Sequence, residues 1–172
     1  HRYLHLSLRR QRQMCIIDRV YKDKMISNWD PKLKTTISDL EVIQKEVTGT
    51  LWYINYEIEN EDGHITIATT RPETMLGDTA IAVHPEDKRF TDMIGKLAIL
   101  PIVEKRIPIV ADEYVKMDQG SGAVKITPAH DFNDYELGKR HALEIINIFN
   151  ENAELNENCP QEYQGLDRYT AR

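Results

Sequence analysis

Leu51-Trp-Tyr-Ile-Asn-Tyr-Glu-Ile-Glu-Asn-Glu-Asp-Gly-His-Ile-Thr-Ile-Ala-Thr-Thr70 is the stretch that decides the fold. Its first eight residues carry the aromatic and β-branched enrichment of a strand. Asn60-Glu-Asp-Gly63 is a hairpin turn, because Asp-Gly supplies residues that tolerate positive φ. His64–Thr70 then alternates as the returning strand. Outward from this hairpin the same signature recurs. Ala80–Val83, Leu97–Val103, Ile107–Val110, Ala123–Thr127 and Ile145–Phe149 read as further strands, with a turn and strand over 21–30 and a short apolar piece over 37–42. Pro85–Ile94, closed by Gly95, reads as a short helix and Asp131–Leu143 as a second. Many short strands separated by frequent turn signals predict a closed or nearly closed β structure. The expected fold class is α+β: a β-barrel-like core of short, mostly antiparallel strands with a few peripheral helices.

The bulk properties bound the function. A chain of 172 residues makes one domain of ordinary size with a real core. Hydrophobic and charged contents of 41% and 29% read as a soluble globular protein. No apolar run approaches the ~18 residues of a membrane span. Cys15 and Cys159 stand far apart, supporting neither a disulfide framework nor a zinc site, so a reducing, cytoplasmic setting is expected. The net charge of -6 is uneven: residues 1–19 hold five arginines against Asp18, whereas residues 20–172 hold 17 basic and 27 acidic side chains. An acidic body argues against tight sequence-independent nucleic-acid binding, which runs on phosphate neutralisation, but leaves room for contact with one strand end. Residues 1–19 read as a foreign tail, either an Arg-rich targeting peptide or, given the missing initial Met, a cloning or gene-assembly remnant. The functional domain is expected over 20–172. From Asn150 a polar, acidic surface loop is expected, leading to Tyr163–Arg172.

Chemistry concentrates in two clusters. The hairpin's second strand runs into Thr69-Thr-Arg-Pro-Glu-Thr74, a loop of hydroxyls with one guanidinium and one carboxylate. Pro72 fixes its own φ and drives Arg71 out of helical geometry, so the loop is sharply shaped. Thr70, Thr74 and Thr79 could cap backbone groups and Asp78 could close an Asx turn. Capping does not explain Arg71, which either pairs with Glu73 or Asp78 or serves a ligand. The second cluster is Gly120-Ser-Gly-Ala-Val-Lys-Ile-Thr-Pro-Ala-His-Asp-Phe-Asn-Asp-Tyr135. Alternation puts Ala123, Lys125 and Thr127 on one strand face. Asp131 and Asp134, three apart at a helix start, share a face. They form either a capping box or a carboxylate pair aimed at an ammonium or hydroxyl. His130 is either a proton shuttle or structural. Gly120-Ser-Gly122 is too short for a phosphate loop and suits close backbone approach. His84, His130 and His141 lack metal-ligand spacing.

Together the clusters resemble the editing domain inserted into valyl-tRNA synthetases. Thr-Thr-Arg-Pro-Glu-Thr-Met-Leu-Gly-Asp-Thr-Ala-Ile-Ala-Val-His-Pro stands at 69–85, and Gly-Ser-Gly-Ala-Val-Lys-Ile-Thr-Pro-Ala-His-Asp-x-x-Asp-Tyr-Glu at 120–136. Asn28-Trp-Asp-Pro-Lys-Leu33, Ser38-Asp-Leu-Glu-Val42, Leu51-Trp-Tyr53 and Tyr163-Gln-Gly-Leu-Asp167 fit as well, so the resemblance covers residues 20–172. Glu73 with Gly77–Pro85 points to the valyl branch, since leucyl relatives carry Asp at the Glu73 position. The HIGH and KMSKS sequences of the parental synthetic site are absent, which implies an editing module without synthetic activity. One departure is Gln119, where many relatives have an aromatic residue.

The resemblance implies hydrolysis of the ester of mischarged Thr-tRNA(Val). It implies catalytic roles for Asp131, Asp134, Lys125 and Thr70, and substrate binding by Thr69, Thr70, Arg71, Glu73, Thr74, Lys125, His130, Asp131 and Asp134. The expected partners are the 3′ end of aminoacylated tRNA(Val), threonine as the edited amino acid, and the rest of the parent synthetase, with no membrane. No cofactor is expected for editing; ATP and Mg belong to the parent's synthetic site. The competing expectation is a module that binds the tRNA 3′ end without turnover. A free-standing deacylase is disfavoured, because both ends read as cut from a longer chain.

Overall fold

The computed structural model describes residues 24–172; the expectations for residues 1–19 and for the start of the 21–30 segment lie outside them. The hairpin forms as expected: β3 (Trp52–Ile58) pairs antiparallel with β4 (His64–Thr69), from Trp52↔Thr69 to Glu57↔His64. Period-2 alternation buries Tyr56, Ile58, Ile65 and Ile67 on one face. A separate two-stranded ribbon, β1 (Asn28–Asp30) with β2 (Thr35–Ile37), precedes it.

Four more strands complete a six-stranded sheet: β5 (Ala80–Val83), β6 (Leu97–Ile99), β7 (Arg106–Ala111) and β8 (Ala123–Ile126). The strand order is β4-β3-β6-β7-β5-β8. Every pairing is antiparallel except β5 with β7. The two edges, β4 and β8, come back against each other without sharing a ladder. The sheet is therefore a nearly closed, barrel-like core of short and mostly antiparallel strands, with few helices.

Burial explains which runs became strands. Ile81 and Val83 of β5 face the barrel interior with Tyr56, Ile65, Ile67, Ile107 and Ile109. Ala80 and Ala82 face the other way, against Leu137 of the only α-helix among the described residues, α1 (Phe132–Arg140). A strand covered on both faces reads as an unbroken apolar run. A third cluster joins Leu76 to Ile148, Leu155 and Cys159 of the C-terminal segment.

Three expectations change. The segment 85–94 is turns plus a 3-10 turn over Thr91–Met93, not a helix. Asp87 spends its carboxylate on the Arg89 backbone and guanidinium, and Phe90 N–H closes a turn on Asp87 O at 3.0 Å. Such side-chain bonds compete with helical ones. β6 stops at Ile99, because Pro101 cannot donate and Ile102 takes a positive φ of 70°. Residues 145–149 contribute only an isolated bridge, Phe149↔Leu155. None of the helices among the described residues is long and apolar enough to cross a membrane.

Candidate functional site

The first wall grows out of β4. Thr69 Oγ1 accepts from Arg71 N–H at 3.1 Å, and Pro72 opens a 3-10 turn over Pro72–Gly77. Thr74 Oγ1 donates to Arg71 O at 3.0 Å, closing the turn. Of the threonines expected to cap backbone groups, Thr74 does so locally and Thr79 Oγ1 reaches Ile126 O at 3.5 Å, whereas the local cap on Arg71 N–H comes from Thr69 rather than Thr70. Thr70 stands exposed at the mouth of a cleft, with Arg71 beside it. Glu73 does not line this cleft. Its buried carboxylate receives Arg172 Nη2 at 2.7 Å and Nε at 3.0 Å, with Arg71 Nε at 3.6 Å. Burial pushes the Glu73 carboxyl up, but the hydrogen bonds and the charges of Arg172 and Arg71 outweigh it and hold the group below the usual range.

The floor is a buried polar network. Register places Lys125 of β8 opposite Ile81 of β5, and its ammonium donates to Thr74 Oγ1 (2.7 Å), Asp78 Oδ1 (2.9 Å) and Thr127 Oγ1 (2.6 Å). Asp78 also accepts from Thr127 Oγ1 at 2.6 Å and from Tyr56 OH at 2.8 Å. Asp78 does not close an Asx turn: it lies at 0% exposure, where a carboxylate demands partners from across the fold. Burial pushes its carboxyl up, against the pull of Lys125 and the donated hydroxyls. Burial next to Asp78 pushes the Tyr56 hydroxyl far up, so it stays protonated and donating. All three Lys125 protons are spoken for, which fixes the orientation of both threonine hydroxyls.

The second wall is the turn and helix after β8. Asp131 is the N-cap of α1, its Oδ1 accepting from Asn133 and Asp134 N–H. Asp134 does not reach back to complete a capping box. Its Oδ2 instead accepts Thr127 N–H at 2.9 Å, and the side chain lines the cleft. Burial raises the Asp134 carboxyl to about 6, despite the Thr127 N–H. No cation among the described residues stands within ion-pair distance of it. His130 Nε2 accepts Ile148 N–H at 3.1 Å and its ring meets Phe149 edge-on. Burial, then the Arg71 and Lys125 charges, lower this imidazole to about 4, so it is neutral near pH 7. Its carbonyl accepts Arg71 Nη1 at 2.9 Å, linking the two walls.

Between the walls lies a cleft of about 620 Å³. Eight of the nine sequence-predicted residues line it: Thr69, Thr70, Arg71, Thr74, Lys125, His130, Asp131 and Asp134. Sequence reasoning missed Tyr114, an aromatic side chain from the loop after β7, which lines the cleft with Gln119. Arg140 and His141 pin that loop by gripping Asp112, at 3.0 and 2.9 Å. Asp78 was read from sequence as an Asx-turn former or a partner of Arg71; its partners are instead Lys125, Thr127 and Tyr56. The Gly120-Ser-Gly122 turn does serve close approach: a Cβ on Gly120 would stand 3.0 Å from Ala68 Cβ of β4.

The class that this barrel and two-walled cleft define is the editing domain of the valyl/leucyl-tRNA synthetase family. Residues 91–167 match the family model "Leucyl-tRNA synthetase, editing domain". The fold is similar to part of the Agrobacterium radiobacter K84 agnB2 LeuRS, solved with tRNA and LeuAMS (TM-score 0.51, 25% identity, 56% of this chain and 16% of that one). In particular, the sequence is similar to valine–tRNA ligases. It is 59% identical over 152 residues to that of Francisella tularensis (88% of this chain, 16% of the relative) and 62% over 153 residues to that of Pelagibacter ubique (89% and 18%). The Bacillus subtilis enzyme is 59% identical over 153 residues (89% and 17%). The chain thus spans less than a fifth of the length of the relatives it matches.

Proposed function

We propose that this editing domain hydrolyses the ester joining threonine to the terminal adenosine of tRNA(Val), clearing the mischarged product of a valine–tRNA ligase. Asp134 carries the reading. It is a nine-tenths buried carboxylate on a small cleft, with no cation among the described residues within ion-pair distance, and in a position to accept from an ammonium or a hydroxyl. Threonine and valine are near-isosteric, and the established figure for an apolar valyl pocket rejecting the added hydroxyl is only about 10²-fold. A site that hydrogen-bonds that hydroxyl does better, because valine would strand a buried acceptor at about 1–3 kcal/mol.

In this reading Asp131 and Asp134 hold the α-ammonium and the threonine side chain. Arg71 fixes the substrate's polar groups, with the His130 carbonyl holding its guanidinium. Thr69, Thr70 and Thr74 offer hydroxyls to the ribose or the attacking water. Lys125 acts through Thr74 and Thr127, keeping their lone pairs aimed and a positive charge beneath the developing oxyanion. Water is positioned rather than activated by a strong base, the free ribose hydroxyl assists, and orientation with electrostatics suffices for an ester without a cofactor. The partners are the 3′ end of aminoacylated tRNA(Val) and the remainder of a cytoplasmic synthetase.

The test is the initial rate of amino-acid release from purified Thr-tRNA(Val) and Val-tRNA(Val), with Asp134→Ala as control. Threonine release should exceed valine release and collapse in the variant; equal rates, or an undiminished variant, would overturn the reading. The acidic composition favours a second reading for the isolated chain, a module that holds the 3′ end without turnover. Saturable binding of Thr-tRNA(Val) without release would single that out.

A further inference from the structure

We infer that Arg172 is a positioning residue of the cleft, acting through Glu73 to keep Arg71 as the link between the two walls. The inference rests on the editing reading for its activity readout. Glu73 is fully enclosed, its side chain at 0% exposure, and two guanidiniums converge on it. Arg172 takes both oxygens as a fork, Nη2 to Oε1 at 2.7 Å and Nε to Oε2 at 3.0 Å. Bidentate pairing of this kind is the strong form of the contact. Arg71 Nε is left 3.6 Å from Oε1, outside hydrogen-bond range, while its Nη1 reaches across to His130 O at 2.9 Å. One buried carboxylate therefore has two claimants, and the fork decides which of them stays available to the cleft.

Arg172 itself is not a lining residue. It is held in place by its neighbours: Ala171 packs on the Leu76–Ile148–Leu155 cluster and donates its N–H to Asp167 O at 2.9 Å, and the guanidinium lies 5.8 Å from the Tyr169 ring. Removing the Arg172 charge leaves Glu73 buried with Arg71 as its nearest cation. An uncompensated buried carboxylate is costly enough to draw that cation in. Closing the 3.6 Å gap costs Arg71 its reach to His130. The substrate-facing guanidinium then leaves its position although no residue of the cleft has changed.

The experiment measures kcat and KM for threonine release from Thr-tRNA(Val) by wild type, Arg172→Met, Glu73→Gln and the double variant. Arg172→Met should raise KM on the order of tenfold, the size expected from losing a hydrogen bond to a charged group. The double variant should recover to near the wild-type KM, because no buried charge remains to pull Arg71 away. A role in stability alone would lower kcat with the folded fraction and leave KM unmoved. An unchanged KM in Arg172→Met, or a double variant no better than the single, would overturn the inference. If Arg172→Met does not fold, Arg172→Gln carries the same test, since it too removes the charge that compensates Glu73; an unchanged KM there overturns it too. If wild type releases no threonine, the editing reading fails and the clamp is read instead from the Arg71 Nε–H NMR resonance. That signal should move in the Arg172 variant and return in the double variant; an unmoved signal overturns the clamp.

Discussion

Asp134 and His130 show how burial sets protonation at single residues of this cleft. The carboxyl, raised to about 6, is ionised at neutral pH and becomes neutral just below it. The imidazole, lowered to about 4, stays neutral and keeps its Nε2 lone pair for Ile148 N–H. Of the two, only Asp134 can change charge near working pH, so in the proposed reaction it should set the acid side of the pH profile. For threonine release, kcat/KM, which reports the free enzyme, should fall as pH drops through about 6. Asp134→Asn should have low activity without that limb; a limb of unchanged position in the variant would assign it elsewhere.

At the level of elements, α1 is the part through which sequence controls geometry. Its N-terminus presents Asp131 and Asp134 to the cleft, and its last residue Arg140 with the C-cap His141 pins the loop that carries Tyr114. Gly138 lets the helix sit down on the turn beneath it: an added Cβ would stand 2.9 Å from Pro128 Cγ and 3.0 Å from Pro128 Cβ. Alanine is the better helix former by about 1 kcal/mol. Overpacking against a rigid ring costs about 1–3 kcal/mol, so the clash should win. Gly138→Ala should therefore lower thermal stability and, by displacing the helix N-terminus, weaken threonine release. A higher melting temperature would show that the helix moves without penalty.

For the whole molecule, the two buried groups pull stability in opposite directions. Asp134 is raised from 3.8 to about 6, so the folded state binds the extra proton and stability falls as pH rises through that window. His130 is lowered from 6.5 to about 4, so the unfolded state binds the extra proton and stability rises with pH, being fully present above 6.5. Each shift is worth about 3 kcal/mol at 1.36 kcal/mol per pKa unit. The two offset one another across roughly pH 4 to 6.5. The stability gain of Asp134→Asn over wild type should grow from near zero below pH 4 to about 3 kcal/mol above pH 6, read by denaturant unfolding across pH. A difference independent of pH would mean that Asp134 carries no burial cost. Such a cost, accepted for a cleft-facing carboxylate, is the pattern of a functional site.

How much was legible follows from the range of the interactions. The hairpin, the shaped Thr69–Thr74 loop and the helix opened by Asp131 are set by local chemistry: Asp-Gly at a turn, a fixed proline φ, an aspartate cap. The sequence by itself determined these elements, the two clusters and the alternation that makes a barrel. The tertiary structure decided which polar groups meet. Local bonds in 85–94 and Pro101 overruled periodicity, and β5–β8 register rather than spacing drew Asp78, Lys125 and Thr127 together. Arg172 reaches Glu73 across 99 positions. Propensities and turns act over a few residues. A buried charge takes its partner from whatever the fold brings within about 4 Å, and no local pattern records that.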